Sequence, residues 1–342
     1  MKTSNKWYLR SGDDGDVVIS TRVRLARNLS DFPFPGRMSE AQREQCLNRI
    51  RDVILNGPPA ISGDFSSVKL SDLPDYKISS LMELHLISPE FAKMPGGELL
   101  INKDESISVM LFEEDHIRIQ VLAAGMDLKG ALSAADKLDS LLDEKLTFAF
   151  DEKLGYLTSC PTNLGTGMRA SVMLHLPALT EKGAVAPLAN MVSKLGLTIR
   201  GMYGEASEPK GSIYQLSNQV TLGISETAAV ENLAGIAGQV IAEERSLREG
   251  MRGDIRAVDR IWRSAGLLQT ARLLTNEEFM KLISNVRLGV SMGIIENVKM
   301  DTVSELLVST GVGMMSGEAG EMLSPLDRDL KRASLCREKL TY

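Results

Sequence analysis

Between Val17 and Gly223 short apolar, β-like runs follow one another closely, with no helical patterns alternating between them. That spacing favours a largely antiparallel sheet whose helices are segregated from it. The runs lie at 17–20, 98–102, 107–112, 117–122, 146–150, 154–159, 171–176, 197–201, 212–217 and 219–223. The polar turn Lys103–Ser106 joins two of them as a hairpin. The run Ile117–Leu122 alternates apolar and polar residues, as a half-buried strand does. Ser39 and Gln42 form a capping box that opens a helix reaching about Leu55, and the Gly/Pro-rich stretch 56–64 reads as a loop. After Ser225 the texture changes. Ser225 caps a long helix running to about Gly250, with Leu233, Ile236, Val240 and Ile241 at helical spacing. Residues 254–342 carry helical periodicity, including a second capping box at Thr275–Glu278. The expected class is therefore α+β, with one domain over 1–252 and a compact α-helical domain over 253–342.

Composition narrows the function. The 342 residues carry 39 Lys and Arg against 45 Asp and Glu, a net charge of -6 at pH 7, which disfavours a generic nucleic-acid binder. No apolar run approaches the ~20 residues needed to cross a bilayer. The polar opening residues lack the apolar core of a signal peptide. Three scattered cysteines, Cys46, Cys160 and Cys336, make neither a disulfide framework nor a zinc site. A cytoplasmic setting is expected.

Four stretches carry the chemistry. In Ser20-Thr21-Arg22-Val23-Arg24 the two arginines point to one face of a strand, where they repel unless an anion neutralises them. Guanidinium forks suit phosphate oxygens. In Glu113-Glu114-Asp115-His116-Ile117-Arg118 adjacent carboxylates can serve as bases or grip a cation. In Cys160–Met173 the glycines Gly165 and Gly167 allow backbone to approach a ligand and Arg169 can complete a phosphate cradle, although no Walker A sequence follows. The stretch Arg200–Gly211 reads as a strand end entering a flexible loop tipped by Glu205. Taken singly, each also reads as a charged edge strand, a solvated acidic turn or an ordinary surface loop.

Taken in order, these stretches resemble the phosphagen (guanidino) kinase family across residues about 16–250, with Ile213–Asn218 matching the segment that follows. The resemblance implies an antiparallel sheet flanked by helices, ATP and Mg2+ as cofactors, and roles for named residues. Arg22, Arg24, Arg118, Arg169 and Arg200 would hold the nucleotide phosphates. His85 would lie beside the adenine. Ser20, Thr21, Val23, Ala170, Ser171, Val172, Met173, Gly201, Met202, Tyr203, Gly204 and Glu205 would complete the nucleotide cradle. Glu114 would align the acceptor guanidine, with Glu205 as its partner on the mobile loop. Glu113 would approach magnesium through water, and Cys160 would be the family's reactive, redox-sensitive cysteine. His116 and His175 read as structural.

The chain departs from ordinary phosphagen kinases at both ends. The arginine strand begins at Ser20, ahead of which their N-terminal helical domain has no counterpart, and they have none of the helical region after residue 252. Both departures resemble the bacterial protein arginine kinase branch of the McsB type. Arg328-Asp329-Leu330-Lys331-Arg332-Ala333 places two arginines on one helix face and is similar to that branch's allosteric phosphoarginine pocket. The resemblance implies ATP-dependent phosphorylation of arginine in proteins, marking them for an AAA+ Clp-type unfoldase-protease. It also implies a small zinc-binding activator protein and a homodimer joined through the helical domain. A kinase of free arginine or a similar small guanidine, and a non-catalytic phosphoarginine-binding adaptor, are the alternatives.

Overall fold

Strand β1, Val18–Arg27, is the axis of the molecule. Its odd and even side chains part to opposite faces: Val23 and Leu25 are wholly buried below, while Ser20, Arg22 and Arg24 rise above. In the computed structural model, which describes residues 6–57, 64–201 and 209–340, β1 lies near the middle of an eight-stranded sheet. The other strands are β2 (Phe65–Lys69), β3 (Glu98–Asn102), β4 (Ile107–Leu111), β5 (Ile117–Ala124), β8 (Met168–His175), β9 (Leu197–Gly201) and β10 (Ile213–Asn218). Their order is β2-β3-β4-β5-β1-β8-β10-β9, and every pair is antiparallel. The hairpin β3–β4 forms about the turn expected for it, with Leu100 opposite Val109.

Helices α1 (Glu40–Leu55), α3 (Leu128–Asp143) and α6 (Glu226–Met251) cover the apolar underside. The Ser39–Gln42 capping box closes as its spacing requires, and Ser225 caps the 26-residue α6. Helix α3 was not among the sequence expectations. It is capped by Asp127, and Leu128, Ala131, Leu132, Ala135, Leu138 and Leu142 form its buried stripe. The expected strands at 146–150 and 154–159 shrink to a two-stranded hairpin, β6 (Phe150–Asp151) with β7 (Gly155–Tyr156). No strand forms at 219–223. There Thr221 turns its hydroxyl inward to the carbonyls of Thr162 and Leu164, while Val220 and Leu222 stay exposed.

Helix α2 (Asp75–Glu83) lies beside the upper face, and α4 (Pro177–Glu181) and α5 (Val185–Lys194) follow β8. Beyond α6 come α7 (Ile255–Thr270), α8 (Asn276–Ser291), α9 (Met300–Ser309), α10 (Val312–Ala319) and α11 (Pro325–Lys339). Asp254 and Thr275 cap α7 and α8. This helical region does not close on itself. Met173 and Ile213 of the sheet belong to its apolar core. Ser11 also ties the N-terminal segment to α9, donating to Asp301 from backbone and hydroxyl at 2.7 Å each. No helix among the described residues is long and apolar enough to cross a membrane.

Candidate active site

Strand register gathers arginines from distant parts of the chain. Arg24 stands opposite Arg169, Arg22 opposite Ser171, and Ala26 opposite Arg118. Gln215 stands opposite both Met173 and Arg200. Directly opposed residues share a face, so Arg22, Arg24, Arg118, Arg169 and Arg200 all belong to the upper one. Arg22, Arg24, Arg169 and Arg200 line a cavity of about 700 Å³ with His85 and Gly201. A neighbouring pocket of about 250 Å³ shares Arg24 and Arg169 and adds Arg118, Glu114 and Cys160. The cationic floor and the acidic group therefore share walls.

The cationic crowding has an electrostatic cost. Burial, then the guanidiniums of Arg169 and Arg118, bring Arg22 down to about 10. Arg24 is driven well below its ordinary value by burial and by Arg22, Arg118 and Arg169, against a partial counterweight from Glu113. A polyanion lying on this floor relieves the repulsion. Arg24→Met should therefore raise the unfolding free energy measured without nucleotide, by an amount on the order of 1 kcal/mol. Hydrogen bonds to charged groups are worth about 1.5–3 kcal/mol, so the same change should weaken binding of a polyphosphate about 10- to 100-fold. Thermal melts and calorimetric titration check the two effects; weaker binding together with a lower melting point would contradict the repulsion argument.

The acidic turn between β4 and β5 is tight. Phe112 and Glu114 both adopt left-handed backbone, with φ of 65° and 66°, a conformation that non-glycine residues hold only under surrounding constraint. The Phe112 N–H donates to the His116 carbonyl at 3.0 Å, and Asp115 N–H to the Glu113 carbonyl at 2.8 Å. Asp115 is fully buried and receives Asn28 Nδ2 at 2.6 Å and Ser159 N–H at 2.7 Å, so it braces the turn. His116 accepts the Leu29 N–H at Nδ1 (3.0 Å) and reaches the Pro33 carbonyl through Nε2 (2.9 Å). Both ring nitrogens are thus engaged by backbone. Glu113 is buried, accepts Ser88 Oγ at 2.8 Å and pairs with Arg118. Glu114 faces the pocket, 2.6 Å from Arg118, with 41% of its side chain exposed.

His85 ends α2. Its φ is 57°, its N–H donates to the Met82 carbonyl and Leu86 N–H to that of Leu81, each at 2.9 Å. This is a Schellman cap, at whose left-handed position glycine is the usual residue. Here an imidazole occupies it and lines the cavity. Burial and the Arg22 charge lower it to about 4, so the ring is neutral near pH 7. Gln120 holds the loop by donating to the His85 carbonyl at 2.6 Å.

Ser20, Ser171 and Met173 line a small recess beside Arg22 and His85. Thr21, Val23, Ala170 and Val172, grouped with the nucleotide residues in the sequence reading, alternate to the underside. Thr21 there donates to the Gly125 carbonyl at 2.7 Å. Their side chains pack the floor from below, and strand alternation is the reason. Met202, Tyr203, Gly204 and Glu205 lie outside the described residues. Cys160 opens onto the Glu114 pocket, its Sγ 3.1 Å from Thr162 Oγ1. His175 is buried in β8, with Nε2 2.9 Å from Ser284 Oγ of α8. Gln215 and Ser88 were given no role from sequence. Gln215 accepts Arg22 Nη2 at 3.0 Å, and its place two residues from Ile213 on an alternating strand was the available signal.

Arg328, Asp329 and Arg332 lie on α11, within the helical region. Arg332 is 2% exposed and already engaged: Nη1 donates to the Leu274 carbonyl (2.6 Å) and Asp329 Oδ1 (2.7 Å), and Nε to the Thr310 carbonyl (3.4 Å). Asp329 therefore pairs inward with Arg332. The Nε of Arg328 is buried without a hydrogen-bond partner.

Among the described residues no group of three or more His, Cys, Asp or Glu could cage a metal ion. Of the two carboxylates beside Arg118, Glu114 faces the pocket into which Mg2+ on a nucleotide would come, whereas Glu113 is buried against Ser88 and Arg118. That ion is commonly held by one or two carboxylates with waters and substrate phosphates.

A family model described as the ATP:guanido phosphotransferase C-terminal catalytic domain matches residues 47–247. A second, the protein-arginine kinase McsB C-terminal domain, matches residues 254–342. The protein-arginine kinase of Geobacillus sp. (strain WCH70) is 43% identical, over 98% of this chain and 94% of its own length. That of Symbiobacterium thermophilum is 44% identical, over 99% and 98%, and that of Bacillus subtilis 42%, over 98% and 93%. Among solved structures, the duplicated taurocyamine kinase from Schistosoma mansoni with bound transition-state-analogue components superposes with a TM-score of 0.63 at 29% identity, covering 76% of this chain and 37% of that one. A lombricine kinase, at 23% identity, shares the fold with a TM-score of 0.61 over 70% of this chain and 69% of its own. A catalytic-domain match over more than half of the sequence, a second match at its helical end and relatives above 40% identity along nearly all of it agree: the chain belongs to the protein-arginine kinases of the ATP:guanido phosphotransferase family.

Proposed function

We infer that this enzyme transfers the γ-phosphoryl group of ATP, bound with Mg2+, to arginine side chains of proteins. The observation that carries the reading is the shared wall between the mutually repelling arginines and the pocket of Glu114. A guanidinium has a pKa of about 12.5–13.8 and is a poor nucleophile until it loses a proton. Glu114 would fix the acceptor's plane and take that proton as a guanidine nitrogen attacks the γ-phosphorus. The bond to the ADP oxygen breaks as the new N–P bond forms. Arg22, Arg24, Arg118, Arg169 and Arg200 would hold the triphosphate and balance the charge on the transferring group, the larger part of the task in phosphoryl transfer. Mg2+ would add charge neutralisation on the phosphate oxygens. Glu205 is proposed as the second carboxylate. His85 is proposed to sit by the base, and Cys160 at the acceptor side.

An acceptor carried by a protein must reach Glu114 from outside, and that side chain is 41% exposed. The named activity of the relatives supports the same acceptor. Kinship with them also supports the wider role: marking of proteins for an AAA+ Clp-type unfoldase-protease, a small zinc-binding activator, a cytoplasmic homodimer, and phosphoarginine sensing by Arg328, Asp329 and Arg332. For that sensing, Arg332 would have to exchange its present backbone partners for the ligand.

Incubation with ATP, Mg2+ and an unfolded protein substrate, followed by phosphosite mapping under conditions that preserve N–P bonds, should place phosphate on arginine within the polypeptide. Phosphate only on serine, or only on added free arginine, would overturn the reading.

A further inference from the structure

The helical region reaches the rim of the nucleotide cavity at α10, whose N-terminus is capped by a carboxylate of α2. Glu83, the last residue of α2, sits on the N-terminus of α10. Gly313 N–H donates to Oε1 at 2.9 Å and to Oε2 at 3.0 Å, and Met314 N–H donates to Oε2 at 3.1 Å. A helix N-terminus presents unsatisfied N–H groups and favours negative charge. The approach is as close as backbone allows. A Cβ on Gly313 would stand 2.2 Å from the Ser80 nitrogen, and one on Gly311 2.2 Å from Glu83 Oε2. Glycine is thus required at Gly313, where the clash is with α2 backbone, while at Gly311 a side chain would push the Glu83 carboxylate off the α10 amides. Burial pulls the Glu83 carboxyl upward, while the α10 amides and the Arg332 guanidinium pull it back.

Two consequences meet at this contact. On one side, Glu83, Val312 and His85 all face the 700 Å³ cavity, and His85 follows Glu83 by two residues in the strained cap. On the other, Arg332 donates to the Thr310 carbonyl, immediately before the Gly311 cap of α10. The seam behind the contact is not solidly filled. A cavity of about 140 Å³ lies there between Ile19, Met173 and Ile213 of the sheet side and Met280, Leu307 and Val308 of the helices.

We propose that Glu83 is a positioning residue for the nucleotide: its grip on α10 holds Val312 and His85 in the cavity wall, so that ATP affinity depends on how the helical region is seated. The proposal rests on the ATP reading above. It gives that site a physical route to Arg332 in three bonded or adjacent steps: Arg332 to Thr310, Thr310 to the α10 amides, and those amides to Glu83. Any ligand that draws Arg332 off the Thr310 carbonyl would loosen or tighten the grip, and the void in the seam leaves room for the shift.

The test uses the full chain. Glu83→Gln keeps the shape and removes the charge. Its dissociation constant for a non-hydrolysable ATP analogue with Mg2+, and its KM for ATP, should rise about tenfold, with kcat changed less than about threefold, tenfold being about 1.4 kcal/mol. An unchanged constant in a variant that keeps wild-type circular dichroism would overturn the proposal. Should the variant fail to fold, hydrogen exchange of the wild type decides. The Gly313 and Met314 amides should gain protection when the analogue binds, and unaltered exchange there would sink the idea. The binding measurement also separates this proposal from the functional reading. A wild-type chain that binds the analogue without phosphorylating arginine defeats the acceptor assignment, while the Glu83 effect on binding still stands or falls by its own number.

Discussion

Glu114→Ala should lower kcat for arginine phosphorylation by about 10²–10⁴-fold, the range that a positioned general base contributes. The fold should survive, because Glu114 is partly exposed and its partner Arg118 keeps a second carboxylate, the buried Glu113. ATP affinity should change little for the same reason. Glu114→Gln should be nearly as impaired, since an amide can orient a guanidine but cannot take its proton. Steady-state kinetics with a protein substrate, alongside calorimetric ATP titration, distinguish loss of chemistry from loss of binding. A kcat within threefold of wild type would remove Glu114 from the reaction.

Acid should destabilise the fold well before its carboxylates are titrated. The chain has three histidines, and the structure lowers the pKa of all of them. Burial is the largest cause in each case. Arg22 adds to it at His85, which falls to about 4, and Arg248 and Arg287 add to it at His175. At His116 the Pro33 carbonyl, Asp115 and Asp31 oppose burial but do not overcome it. In the unfolded chain each imidazole titrates near ~6.5. Above that pH neither state is charged and the groups contribute no pH dependence. As pH falls through ~6.5 the unfolded chain binds protons that the native one refuses, so native stability drops. With three such groups the slope is at most about 4 kcal/mol per pH unit, and at His85 it persists to about pH 4, where the folded ring begins to charge. Denaturant midpoints should be flat above pH 7 and fall steeply between pH 6.5 and 5. A midpoint that stays level down to pH 5 would mean that the imidazoles charge freely in the folded chain.

The floor of the site was legible because strand alternation is a strict rule. Arg22 and Arg24 two residues apart had to share a face, and the pairing of β1 with β8 brings Arg169 opposite Arg24. The same rule, applied to Thr21, Val23, Ala170 and Val172, would have separated them from the ligand-facing side chains. Grouping whole stretches by resemblance concealed it. Helix α3 was missed although Leu128, Ala131, Leu132, Ala135, Leu138 and Leu142 carry a helical period. It lies among strands whose alternation dominates the local texture. The runs near 146–159 are apolar for another reason. Leu146 and Phe148 fill the core from an irregular segment, and Leu29 meets Phe148 through an isolated bridge. Glu83 had no readable role, because its partners are backbone amides 230 and 231 positions away. Main-chain donors leave no mark in a sequence, and their position is set only when α10 docks on α2.

The arginines that face the cleft sit in strands, not in the loops at the sheet's ends. Their spacing is fixed by ladders of main-chain bonds running through β5, β1, β8, β10 and β9. Segments entering or leaving that lattice can lengthen, shorten or be exchanged without moving one guanidinium relative to another. A lineage built on such a platform is free to vary at its margins while the geometry of the cationic floor is inherited intact.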